Sequence, residues 1–287
     1  MHISLDSALG RQRRLNSVGE SVLQIAPNAK AAYSLRSLTG GDPKVVRVRR
    51  DTGGGAGDND EEDFTASGIS SGALVDFVGS GNDGFVETWY DQSGNGNDAV
   101  QATAANQPKI VNAGALVADN GIDLDGSQFL QANSFSGMGA TVSMITASVH
   151  DSGGGGCVSL ASSASGTTNF GIIEGNSVTN VNSRNTTSVT ASASVSGATR
   201  LSFALTTGQT STKSGALGGT LVESTSDYGN DFTSGELDIV LIGKLRASSG
   251  TLFNGRIREA IIYNTDQTAN RTAIEANIAD HYNITLV

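Results

Sequence analysis

Between residues 122 and 263 the chain repeats one pattern: short runs of β-branched and aromatic residues, separated by Gly, Ser and Asn. The runs are Ile122–Leu124, Gln128–Ala132, Thr141–His150, Cys157–Ala161, Asn169–Glu174, Ser177–Val181, Arg200–Leu205, Gly219–Glu223, Leu237–Ile242 and Phe253–Tyr263. No helical periodicity intervenes, so this spacing predicts an antiparallel sandwich or jelly roll. Thr141–Val149 alternates, which predicts one buried face and one polar face. Upstream, Val46 and Val48 alternate with Arg47 and Arg49 in a half-buried strand, and Gly84–Tyr90 reads as another. Ala29–Leu38 fits a helix or a strand, and Ser71–Phe77 fits a short helix. A terminal helix is predicted over 268–282, capped by Thr268, with Ala273, Ile274, Ile278 and Tyr282 on one face. Residues 1–29 sustain no period and read as an arm. The chain thus divides into an arm (1–29), an entry segment packed on the sandwich (30–111) and the sandwich with its terminal helix (112–287).

Composition sharpens this picture. Glycine occurs 37 times and proline 3 times in 287 residues, which suits many short strands joined by tight turns. No apolar run is long enough to span a bilayer as a helix, so membrane insertion is not expected. After Arg11, Arg13 and Arg14 comes Leu15-Asn16-Ser17-Val18 instead of an apolar core, so no secretory signal is expected. The net charge of −10 argues against a general nucleic-acid binder, which needs a basic face. Positive charge gathers near the amino terminus, at Arg11, Arg13, Arg14, Arg36, Lys44, Arg47, Arg49 and Arg50. A basic arm on an acidic body points to docking on an acidic partner, with Arg11, Arg13 and Arg14 as its anchors.

The candidate chemistry is sparse. Cys157 is the sole cysteine, so no intrachain disulfide forms, and it reads as a small buried hydrophobe. His2, His150 and His281 lack ligand spacing, and no metal or other cofactor is expected. Asp58, Asp60 and Glu62 alternate as in a calcium loop but lack its glycine and bidentate glutamate, so a solvated loop is the better reading. Gly153–Gly156 reads as a hairpin tip. Glu236-Leu237-Asp238 resembles the start of a Glu-x-Asp-x-x-Glu glycosidase pattern, but its last acid is replaced by Leu241, so it reads as a coincidence with Glu236 and Asp238 on a solvated strand face. Glu87, Asp91, Glu174 and Glu223 stand apart in sequence, and only the fold could pair them. The richest cluster is Trp89, Tyr90, Asp91, Gln92, Asn95, Asn97 and Asp98. It supplies an aromatic platform and planar polar groups for a carbohydrate. The same residues also suit a core plug (Trp89) and a self-bonded turn (Asp91, Asn97).

Several of these segments resemble known families. Ala32-Tyr33-Ser34-Leu35-Arg36, Val46–Arg50, Tyr90-Asp91-Gln92-Ser93-Gly94-Asn95-Gly96-Asn97 and Gln107–Val111 resemble the amino-terminal part of family 54 α-L-arabinofuranosidases. Ile122–Leu130 and Phe253–Asn264 resemble the opening and closing strands of laminin-G-like, concanavalin-like jelly rolls. The resemblance implies an all-β jelly roll linked to sugars. That family's catalytic carboxylates and adjacent cysteine pair are not reproduced, so no catalytic residue carries over and no enzyme activity is expected. Jelly rolls of this kind also resemble bacteriophage structural proteins. The function this implies is a virion protein, made in the host cytoplasm and displayed on the particle as a homo-oligomer, whether as capsid decoration, fibre or tail or baseplate component. Its arm would hold it to other virion proteins while the sandwich meets host glycan. The alternatives are a free lectin module and an arabinofuranosidase-like glycosidase.

Overall fold

The computed structural model describes residues 19–133, 135–184, 188–194, 197–207, 213–217, 220–224, 232, 235–248 and 251–286. The fold is all-β, antiparallel and sandwich-like, as the strand spacing predicts. The entry segment contributes α1 (Val22–Ile25), β1 (Ala31–Ser34), β2 (Lys44–Asp51), β3 (Glu61–Thr65), α2 (Ala66–Ser70), α3 (Ala73–Val78), β4 (Asp83–Trp89), β5 (Ala99–Val100), β6 (Lys109–Asn112) and β7 (Ala115–Leu116). Next come β8 (Ile122–Asp125), β9 (Leu130–Ala132), β10 (Thr141–His150), β11 (Gly154–Ala161), β12 (Asn169–Gly175) and β13 (Val178–Arg184). The chain continues with β14 (Ser188–Ser194), β15 (Thr199–Thr207), β16 (Lys213–Leu217), β17 (Thr220–Ser224), β18 (Ile239–Ile242), β19 (Asn254–Tyr263) and α4 (Arg271–Tyr282).

Two layers follow from the pairings. In one, β19 takes β10 on one side and both β8 and β1 on the other, and β10 continues through β15 and β16 to β17. In the other the order is β9-β18-β11-β12-β13-β14. The entry strands β3-β2-β4 bridge the layers, through β6 to β8 and through β5 to β9.

Strand β10 shows why both faces of the first layer are buried. Val142 and Met144 join Leu160, Phe170, Ile172 and Val181 between the layers. Ile145 and Ala147 face the other way, against Phe203, Ile261, Ile274 and Ile278 beneath α4. The alternation predicts one buried and one polar face; instead both are buried. Thr146, Ser148 and His150 point into the sandwich, and Ser143 is bonded to Thr265 and Gln267 on the face that α4 covers.

Other corrections have local causes. The open choice for Ala29–Leu38 resolves as a strand at Ala31–Ser34, paired with β19. Helix α4 begins at Arg271 after Asn270, so Thr268 is not its cap. Of the predicted glycine hairpin tip, only Gly153 turns, at φ +77°; Gly154–Gly156 are strand β11. A Cβ on Gly155 would lie 2.1 Å from the Leu252 carbonyl, and one on Gly156 2.5 Å from the Leu245 amide. These glycines admit a close backbone crossing rather than a bend. In the segment read as an arm, residues 1–18 lie outside the described residues. Val22, Ala26 and Ala29 are buried under α4 with Ile274 and Ile278.

Candidate functional site

The cluster from Trp89 to Asp98 closes the entry segment. Trp89 ends β4 with no exposure and lies 5.9 Å, at 45°, from the Tyr33 ring. The Asp91 carboxylate accepts from the Ala32, Ser93 and Asn97 amides at 2.8–3.0 Å and from the Ser93 hydroxyl at 2.8 Å. Asp98 Oδ1 accepts from the Asp91 amide at 2.8 Å. Gln92 donates to the Ser34 and Arg36 carbonyls and accepts from the Leu38 amide. Asn95 and Asn97 donate to the Ala29 and Lys30 carbonyls. These bonds pin β1 to the end of β4, as the self-bonded turn requires. Tyr90 is half-buried and donates to Asp63 at 2.6 Å. Arg47, with Lys44, holds the Asp63 carboxyl well below the usual carboxylate range. The anchors Arg11, Arg13 and Arg14, and also His2, lie outside the described residues.

The remaining acids are scattered. Glu87 accepts from the Thr88 hydroxyl beside it. Glu236 and Asp238 precede β18 rather than lying on a strand face, and Asp238 accepts from the Ser163 amide at 2.7 Å. In the acidic loop Asp60 pairs with Arg50 at 2.6 Å and Asp58 accepts from the Thr52 amide. Among the described residues no cluster of three or more His, Cys, Asp or Glu could hold a metal ion.

One acid differs. Along β10 the inward positions change from Val142 and Met144 to Thr146, Ser148 and His150; alternation keeps all five on one face. Ser148 stands opposite Arg200 of β15, and Thr146 opposite Ser202, the next inward position. Across the sandwich, β12 changes from Phe170 and Ile172 to Glu174. A buried cluster of polar side chains therefore replaces the apolar core at one end of the layers. Ser148 donates to Glu174 Oε1 at 2.6 Å, and Arg200 Nη2 donates to the Gly175 carbonyl at 3.1 Å. Glu174 and Ser148 have no exposure and Arg200 has 1%.

The electrostatics follow from that burial. Loss of solvent pushes the Glu174 carboxyl up to about 7, against the pull of Ser148 and Arg200. Burial lowers Arg200, and burial with Arg200 nearby lowers His150. Burial, then the neighbouring Glu174, holds the Cys157 thiol well above its usual range, so it is no nucleophile. Much bonding capacity is unspent there: Glu174 Oε2, Arg200 Nε and Nη1, Thr146 Oγ1, Ser202 Oγ and Thr179 Oγ1 have no partner among the described residues. Each such buried group costs about 1–3 kcal/mol. A polyhydroxylated ligand could satisfy these donors and acceptors, and a carboxyl near 7 can give up a proton. Sequence reasoning had Glu174 among its isolated acids but missed Ser148 and Arg200. The available signal was the change from apolar to Ser/Thr on the inward positions of β10.

No protein-family model matches the chain, and no curated protein matches it. Its fold is similar to the crystal structure of an arabinofuranosidase complexed with arabinofuranosyl-α-1,2-xylobiose, at TM-score 0.66 and 16% identity, over 89% of this chain and 64% of that one. A GH54 α-L-arabinofuranosidase soaked with a cyclic sulfate inhibitor gives 0.65 and 15%, over the same shares. Trypanosoma rangeli sialidase gives 0.50 and 12%, over 70% of this chain and 32% of that one. The chain thus spans 64% of the length of the arabinofuranosidases it matches. At these identities the likeness is one of fold. It corrects the expectation that the chain is no enzyme: nearly its whole length takes a glycosidase fold, beyond the entry segment in which the likeness was read.

Proposed function

We propose that this protein is a carbohydrate-active β-sandwich that binds a furanoside between its layers, with Glu174 as proton donor. The observation that carries this reading is the Glu174 carboxyl: buried, pushed up to about 7, and with Glu174 Oε2 and Arg200 Nε and Nη1 each lacking a hydrogen-bond partner among the described residues. Glycoside hydrolysis needs a protonated carboxylic acid at the leaving oxygen, and burial is the usual means of keeping one protonated near neutrality. Ser148 fixes the carboxyl from one side. Arg200, Ser202 and Thr146 supply donors and acceptors for sugar hydroxyls. Among the described residues no second carboxylate hydrogen-bonds to Glu174, so the reading assigns the donor role alone. The fold likeness suggests α-L-arabinofuranosides as first substrates.

The test is turnover of 4-nitrophenyl α-L-arabinofuranoside by the full chain. Activity should fall as pH rises through about 7, where Glu174 ionises. Glu174→Gln, which keeps shape without an ionisable proton, should lose on the order of 100-fold or more in kcat, the usual share of a general acid. A Glu174→Gln protein as active as the parent would sink the reading.

A second part of the proposal concerns placement. The basic residues Arg11, Arg13 and Arg14 beside an acidic body support anchoring of this sandwich, as a homo-oligomer, to acidic proteins of a virus particle, with the sugar site turned to host glycan. Single exposed pairs contribute only about 0.2–1 kcal/mol each, so apolar residues such as Leu5, Leu9 and Leu15 would share the contact. Removing residues 1–18 should leave the fold intact while abolishing incorporation into particles. Normal copy number after that truncation would place the anchor elsewhere. A cut extended to residue 29 should also loosen the fold, since it removes buried Val22, Ala26 and Ala29.

A further inference from the structure

A cavity lies away from Glu174, where the entry segment meets the end of α4. It encloses about 560 Å³, between α2, β6, β7, the turn after β1 and the last residues of α4. Its walls are chiefly apolar, from Leu35, Ile69, Ile110, Leu116 and Val117. Its charged lining groups are already paired. Arg36 donates to both Glu259 oxygens at 2.8 and 3.0 Å and to Asn277 at 2.8 Å. The Asp42 carboxylate is held below its usual range by the Ser67 hydroxyl and amide. His281 at the rim is held low, by partial burial and then by Arg36, and so is uncharged at neutral pH.

We infer that this cavity binds a small, uncharged, mostly apolar molecule. The volume falls in the range of ligand pockets, roughly 300–1,000 Å³. A charged ligand would find no free counter-charge there, and stripping its water without compensation is costly. An uncharged ring or chain loses nothing of that kind and gains from covering the half-exposed Ile69 and the exposed Leu116. The neutral imidazole of His281 offers one donor and one acceptor, enough to orient a single hydroxyl or carbonyl on the ligand. Unlike the Glu174 cluster, this site exposes a mostly apolar surface, so it takes a different class of molecule.

The probe is the uncharged fluorophore 1-N-phenylnaphthylamine, titrated into the full chain. Expected is a saturable one-to-one rise in emission with half-saturation in the micromolar range. Ile69→Trp, which fills the cavity, should weaken binding at least tenfold. Leu116→Trp narrows the mouth from an exposed position of β7 that the fold tolerates, and it should do the same even if Ile69→Trp fails to fold. Glu174→Gln should bind the probe like the parent, which separates this site from the sugar site. Unsaturable emission, or parental binding by Leu116→Trp, would overturn the inference.

Discussion

Replacing Glu259 by alanine should destabilise the protein by about 3–5 kcal/mol, the cost of leaving a buried charge without its partner. Glu259 lies on β19, faces α4 and has no exposure. It receives two N–H groups of Arg36 at 2.8 and 3.0 Å and the Ser34 hydroxyl at 3.2 Å. Tyr282, from the last turn of α4, donates to the same carboxylate at 3.3 Å. The group therefore joins β1, β19 and the terminal helix at one point. Its loss would strand the Arg36 guanidinium, whose side chain is only 14% exposed. Thermal unfolding should show a drop of roughly 10 °C for a chain of this size. The double variant Arg36→Met/Glu259→Leu removes both charges and should recover most of that loss, because a well-packed apolar pair can replace a buried ion pair at little cost. If Glu259→Ala alone unfolds within 2 °C of the parent, the network contributes packing and not charge pairing.

Arg36 and Glu259 also mark how far the sequence could be read. Arg36 was visible within Ala32-Tyr33-Ser34-Leu35-Arg36, and Glu259 within the closing strand, but nothing in either segment links them across more than two hundred residues. Strand pairing makes that link, since β1 lies along β19 with Ser34 opposite Glu259. The long strands were legible because β-branched runs have period 2. Strand β14, Ser-Val-Thr-Ala-Ser-Ala-Ser, was not, since small polar residues carry no hydrophobic period; the same holds for β16. The Trp89–Asp98 motif was found at once because Asn, Gly and Asp report their own local turn chemistry. The polar cluster was missed for the opposite reason. Its members come from β10, β12, β13 and β15, each beside ordinary strand residues, and they meet only after the layers close.

Stability itself should register that cluster. The Glu174 carboxyl sits at about 7 in the folded chain against an ordinary value of 4.5, so the folded state binds its proton more tightly than the unfolded state. Below pH 4.5 both states are protonated and the group exacts no penalty. As pH rises towards 7 the unfolded chain ionises first. Above 7 the folded chain must carry a buried carboxylate, at a cost of about 3 kcal/mol. His150 and His281, both held low by burial, act in the opposite sense, gaining stability as pH rises through their ordinary range. They are present in parent and variant alike. The difference between the parent and Glu174→Gln therefore isolates the carboxyl: Gln should be the less affected by alkali, with the gap opening between pH 5 and 8 and levelling off above. Denaturant unfolding at a series of pH values reads this directly. A constant gap across that range would mean that Glu174 titrates as a solvated acid. It would then be ionised at neutral pH, without the proton that the sugar site requires of it.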